Sequence, residues 1–270
     1  MRQRSTTLLS IAAFGYAFLY LPIVSVVIYS FNDSRLVTLW GGFSLRWYRG
    51  LLESEEILSS AVLSLQIAVV SATVATALGT LTGLALSRLG RFRGRTLMTG
   101  MVTAPLVMPE IITGISLLFL FISLAEWTGW PSSRGATTIA IAHITFSMAY
   151  VAVVVRSRLA GMDESLEEAA MDLGGRPLRV FFDITVPSIA PAMISGWLLA
   201  FTLSLDDVVI ASFVSGPGAT TLPMLIFSKV RLGVTPDINA LATVIIGLVS
   251  IGVISAALLT RKKPGGPVEN

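Results

Sequence analysis

Four titratable side chains sit inside long apolar stretches: Asp206 and Asp207 in one, Glu110 in a second, and the single histidine, His143, in a third. An ionisable group at the centre of a membrane helix costs roughly 2.5–3.5 kcal/mol on insertion scales, so it faces a partner or a water-filled cavity. Carboxylates in such a cavity replace part of the hydration of an ammonium group, and the rings of Trp197 and Tyr150 can add aromatic faces to a cation. These residues form a candidate pathway for a substrate with separated positive charges. A plainer reading stays open. Asp206 or Asp207 caps a helix end, Glu110 caps backbone groups freed by Pro105 and Pro109, and His143 is a buried hydrogen-bonding residue. Other chemistries have little to stand on. There is no cysteine, which excludes disulfides and thiolate metal sites, and one histidine leaves no His-rich cluster. No Gly-Lys dipeptide occurs, so a phosphate-cradling P-loop is absent. No Ser/His/Asp spacing points to a hydrolase.

The elements that must position these groups are membrane helices. Of 270 residues, 54% are hydrophobic and 13% charged, with a mean hydropathy of +0.80. A net charge of +3 is too small to argue for nucleic acid. A span needs roughly 20 apolar residues to cross about 30 Å of hydrocarbon. Six stretches qualify, at 8–30, 58–86, 97–124, 136–155, 191–214 and 238–259, which predicts an all-α membrane protein with six transmembrane helices. The first is too long for a secretory signal and reads as a retained span. Pro105 and Pro109 predict a kink in the third. At 1.5 Å per residue, Glu110, Asp206 and His143 all fall about 20 Å from the side where the chain begins.

Basic residues set the orientation. Arg2, Arg4, Arg88, Arg91, Arg93, Arg95, Arg156, Arg158, Arg176, Arg179, Arg261, Lys262 and Lys263 share one side, 13 against 6 on the other. The positive-inside rule places both termini in the cytoplasm. Organisation follows: a first helix and outer connection over 1–57, a core over 58–260, and a disordered tail at 261–270. Trp40, Trp47 and Tyr48 in the outer connection suit an interfacial belt.

The loop at 156–190 is the most informative stretch. Ser165 followed by Glu168 predicts a capping box at a helix start. Gly174-Gly175 stops that helix, and Pro177 opens a second short one. Pro187 and Pro191 are expected to end the second before the fifth span. Ala169 and Ala170 leave a shallow strip for another protein's surface. Asp163, Glu164, Glu167, Glu168 and Asp172 set an acidic patch on an arginine-rich face, which can fix the register of a basic partner. A solvated loop without any partner fits the charges equally well.

Glu168-Ala169-Ala170, then Gly174, then Ile184 and Pro187, resembles the "EAA" loop of type I ABC importer permeases. The match departs only at Val186, where leucine is usual. Segments 26–32, 104–110, 195–207 and 211–224 are similar to the polyamine branch, most like the second permease subunit of putrescine importers, with spermidine-preferring permeases the near competitor. The resemblance covers nearly the whole chain. It implies a type I permease fold in a bacterial inner membrane. In that family the loop forms coupling helices, here through Glu167, Glu168, Ala169, Ala170, Asp172, Gly174 and Pro187, which sit in a groove of the ATPase. It also implies a homologous second permease, an ABC ATPase dimer that uses ATP and Mg2+, and a periplasmic polyamine-binding protein, with no cofactor on this chain. An ion-coupled secondary transporter instead predicts inverted repeats with broken helices at matching positions, which the sequence does not reveal. A membrane scaffold leaves the acidic loop without purpose.

Overall fold

A computed structural model describes residues 6–36, 39–233 and 235–260. The basic residues Arg2, Arg4, Arg261, Lys262 and Lys263, and the tail at 261–270, lie outside that set. Among the described residues the regular secondary structure is helical, with an isolated antiparallel bridge between Asn32 and Phe43. The chain divides into two compact units.

The first unit holds the described residues up to Leu58 and those from Ile226 onward. Helix α1 (Thr6–Tyr29) is apolar on every face and buries none of it, which suits contact with lipid. It packs on α12 (Pro236–Thr260), as does the short amphipathic α2 (Arg46–Glu53), which buries Leu51. Between α1 and α2 the chain folds around Asn32, which is fully buried. Its amide nitrogen donates to the carbonyls of Leu36 and Leu39, and its oxygen accepts from the amides of Ser34 and Gly41. Trp47 closes the knot by donating from Nε1 to the Asn32 carbonyl at 2.7 Å. Lys229 bridges Glu56 and Asp237 at 3.6 and 3.8 Å.

The second unit, Ser59–Leu225, carries the candidate residues. It contains most of α3 (Glu55–Arg88), then α4 (Arg95–Val107), α5 (Glu110–Thr128), α6 (Ala136–Ala160), α7 (Ser165–Asp172), α8 (Pro177–Val180), α9 (Val186–Asp206), α10 (Val209–Val214) and the start of α11 (Leu222–Leu232). Small residues let backbones close up, as membrane packing requires. A Cβ added at Gly79 would meet Val151 Cβ at 2.7 Å and the Met148 carbonyl at 2.9 Å, so α3 lies directly on α6 there. A Cβ added at Gly196 would meet Val151 Cγ1 at 3.2 Å, so α9 closes on the same side chain. Ala72, Ala75, Val151, Val155, Leu159, Ile189 and Ala200 fill this α3–α6–α9 seam. A second cluster joins α5, α6 and α10 through Phe121, Ile139, Phe146, Ile210 and Val214.

Among the described residues, five helical stretches are long and apolar enough to cross a membrane: Leu8–Tyr29, Glu55–Arg88, Glu110–Thr128, Ala136–Ala160 and Pro177–Asp206; α12 adds the apolar stretch Pro236–Ile251. Two expected spans are not single helices. The third breaks at Met108-Pro109, where both residues are extended and α5 starts afresh at Glu110. Proline denies its predecessor the helical region, so the expected kink becomes a full interruption. The fifth breaks at Asp207, which is also extended, before α10. Broken spans therefore exist where the sequence disclosed none.

The expected end at Pro187 and Pro191 also fails. A π-helical turn at Phe181–Thr185 joins α8 to α9, and one helix runs from Pro177 to Asp206. The Val186 amide reaches back five residues to the Phe181 carbonyl, so Pro187 falls in a new first turn where its lacking N–H is tolerated. The Ser188 and Ser195 hydroxyls donate to the carbonyls of Ile184 and Pro191.

Candidate functional site

At the Arg88 end of the second unit, α7 and α8 make a helix–turn–helix. Gly174 has φ +88°, open only to glycine at low cost, and ends α7 as expected. The Gly175 amide bonds the Ala170 carbonyl and the Gly174 amide the Met171 carbonyl, a Schellman closure. Pro177 takes the first position of α8, also as expected. The capping box does not form. Asp163 Oδ1 accepts the Ser165 amide at 3.0 Å and displaces Ser165 from the cap position. That amide, and then the Ser165 hydroxyl, hold the Asp163 carboxyl below its ordinary value of 3.8.

The predicted docking residues divide. Glu168, Ala169 and Asp172 are exposed, and Ala170 is half-buried. Glu167 turns inward, its side chain only 16% exposed. It accepts the Thr185 hydroxyl at 2.8 Å and stands 3.5 Å from Arg88 Nε, and the same guanidinium also pairs with Glu164. Pro187 is exposed in the first turn of α9, beyond the two hairpin helices. Sequence reasoning missed two things here. One is Arg88, counted only toward orientation. The other is an apolar set on the hairpin, Leu166, Leu173, Leu178 and Phe182, all more than half exposed. Large apolar residues interspersed with the charges of the loop, these four among them, were the available signal.

At the α9–α10 break the structure joins His143 to Asp207. His143 is buried, with Nε2 3.2 Å from Asp207 Oδ2 and Nδ1 2.6 Å from Ser204 Oγ. The Ser71 hydroxyl on α3 reaches Ser204 at 2.9 Å. Asp207 also accepts the amides of Ile210 and Ala211 at 3.2 and 2.7 Å, so it closes the first turn of α10. In the tautomer with the proton on Nε2 every member is served: Ser71 donates to Ser204, Ser204 to Nδ1, and Nε2 to Asp207. The seam helices α3, α6 and α9 are thus pinned to the break by one polar chain. Ser71 and Ser204, unmarked in the sequence, are its middle links.

The other candidates are placed differently. Asp206 is exposed, one residue before the break. Glu110 is exposed in the first turn of α5, where a negative charge meets the positive end of the helix dipole. Trp197 donates from Nε1 to Thr73 Oγ1 at 3.1 Å and stacks on Phe201 in the α3–α6–α9 seam. Tyr150 leans on Phe146 in the α5–α6–α10 cluster. The two rings belong to separate clusters and do not make one aromatic face.

A multi-helix membrane bundle with broken spans and a surface hairpin is the architecture of a transport permease. The chain belongs to the binding-protein-dependent transport system inner membrane component family, whose pattern matches residues 75–262. It is 60% identical over 259 residues to the putrescine transport system permease protein PotI of Escherichia coli strain K12, covering 96% of this chain and 92% of that one. It is 43% identical over 251 residues to the spermidine/putrescine transport system permease protein PotC of the same strain, covering 93% and 92%. Among solved structures, a bacterial ABC transporter that imports the polysaccharide alginate superposes with a TM-score of 0.72 over 97% of this chain and 99% of its counterpart. Identity there is 15%, so that likeness concerns the fold alone. The expected type I ABC importer permease architecture holds.

Proposed function

We propose that this chain is one permease subunit of an ATP-driven polyamine importer, with putrescine as its substrate. It lines half of the translocation pathway beside a homologous second permease. A dimeric ABC ATPase, using ATP and Mg2+, docks on the α7–α8 hairpin from the cytoplasm, where both termini lie. A periplasmic polyamine-binding protein delivers the substrate from the opposite side.

The observation that carries this reading is the hairpin. It presents Glu168, Ala169 and Asp172 with Leu166, Leu173 and Leu178 around them, a charged and apolar surface of the kind that fits another protein. Putrescine is favoured over spermidine by the 60% identity to a putrescine permease against 43% to a spermidine/putrescine permease. Asp206 is the carboxylate best suited to meet an ammonium group, because it is exposed beside the break while Asp207 is spent on amides and His143. Glu110, exposed at the other break, is the second candidate.

The test is uptake of radiolabelled putrescine by cells whose own polyamine importers are deleted, with this chain supplied alongside its cognate subunits. Saturable uptake that requires ATP, and a P-loop ATPase that copurifies in detergent, are expected. Uptake driven by an ion gradient, with no ATPase bound, overturns the proposal.

A further inference from the structure

The guanidinium of Arg88 closes a three-way junction. Arg88 is the last residue of α3, a helix long enough to cross the membrane, and its side chain is 17% exposed. It pairs with Glu164, just before α7, and with Glu167 inside α7. Glu167 in turn accepts the Thr185 hydroxyl from the π-helical turn at the root of α9. Thr185 is buried, so this contact is not a loose surface one. Around the junction lies a cleft of about 470 Å³, apolar through Leu81, Leu84, Met171 and Phe181. Loss of either partner of a charge pair in such surroundings leaves the other uncompensated, so the junction resists being pulled apart. The exposed Glu164 contributes little, and Glu167 is the partner that matters.

We infer that Arg88 is a positioning residue for energy coupling: it links the docking helix α7 to the transmembrane helix α3, while Glu167 and Thr185 link α7 to α9. A displacement of α7 by a docked ATPase then moves two transmembrane helices together. Without Arg88, α7 follows the ATPase and α3 stays behind. This rests on the docking reading above and adds a residue whose charge partners lie within this chain. Hydrogen bonds to Glu167 also divide the acidic patch into an inward brace and an outward docking face.

The experiment uses the full complex in proteoliposomes and reads ATP hydrolysed per putrescine taken up. In the unaltered complex the ATPase copurifies and the ratio is low; an ATPase that does not copurify removes the docking reading, and the link with it. With the ATPase bound, R88A is expected to keep copurifying and to raise the ratio at least tenfold, because hydrolysis continues while uptake falls. R88K, which keeps the charge, returns the ratio to within threefold of the unaltered value. An R88A complex that assembles with an unchanged ratio overturns the link and leaves docking intact. Should R88A fail to assemble, E167Q, which keeps shape and the Thr185 contact, is read the same way: a tenfold rise supports the link and an unchanged ratio overturns it.

Discussion

The hairpin and the α9–α10 break each carry two neighbouring carboxylates, and each splits them. Glu167 turns in toward Arg88 and Thr185 while Glu168 faces out; Asp207 turns in toward His143 and two amides while Asp206 faces out. One member of each pair holds the chain in shape, and its neighbour is left available. The difference lies in what holds the inward member. Glu167 is held by the Thr185 hydroxyl at 2.8 Å and, at 3.5 Å, by the guanidinium of Arg88, both from other helices. Asp207 is held by backbone amides of its own next turn, which cannot move without unwinding α10. The hairpin's inward carboxylate thus ties separate helices together, whereas that of the break mainly closes its own turn.

That contrast can be broken in graded ways. The largest effect belongs to Asp207→Ala, which strands two amides and His143 together; a loss of about 2–3 kcal/mol is expected, seen as a lower melting temperature in detergent and less protein in the membrane. A melting curve like that of the unaltered chain would show the break needs no such anchor. Asp206→Asn comes next. Uptake of putrescine falls about tenfold, the equivalent of 1.4 kcal/mol, while melting is unchanged; unaltered uptake removes Asp206 from the pathway. Glu168→Gln is milder, weakening ATPase copurification by about threefold without shifting the melt, and an unchanged yield separates the acidic patch from docking. The smallest effect is at Asp163. Its carboxyl is held below its ordinary value, so its support for the start of α7 is present above that value and is lost as pH falls through the lowered one. Asp163→Asn should therefore expose the α7 amides to hydrogen exchange at neutral pH to the extent that the unaltered chain shows only in acid. Equal protection of the two chains at neutral pH contradicts this.

Much of this plan is legible in the residue order, and the exceptions have physical causes. Gly174 and Pro177 act locally, through backbone angles that one residue dictates, so the hairpin could be read directly. The helix breaks could not. Two extended residues inside an apolar run leave hydropathy unchanged, and Pro109 alone cannot tell a kink from a stop. The capping box misled because Asp163, two residues earlier, competes for the same amide. Pro187 misled because a π turn upstream resets the hydrogen-bond register before the proline is reached. Arg88 and Ser204 acquire their roles from partners 79 and 133 residues away, Glu167 and Ser71 respectively, separations that no local pattern encodes.

Helix α3 has 34 residues, about 51 Å at 1.5 Å per residue, against about 30 Å of hydrocarbon. It is gripped where Gly79 meets Val151, and Arg88 stands nine residues further on, about 14 Å along the axis. The Ser71 hydroxyl, held on Ser204 at 2.9 Å, fixes the same helix eight residues to the other side of that contact, about 12 Å away. Held at two points, the rod keeps its direction there, and the arginine end projects beyond the second point as an arm of about 14 Å.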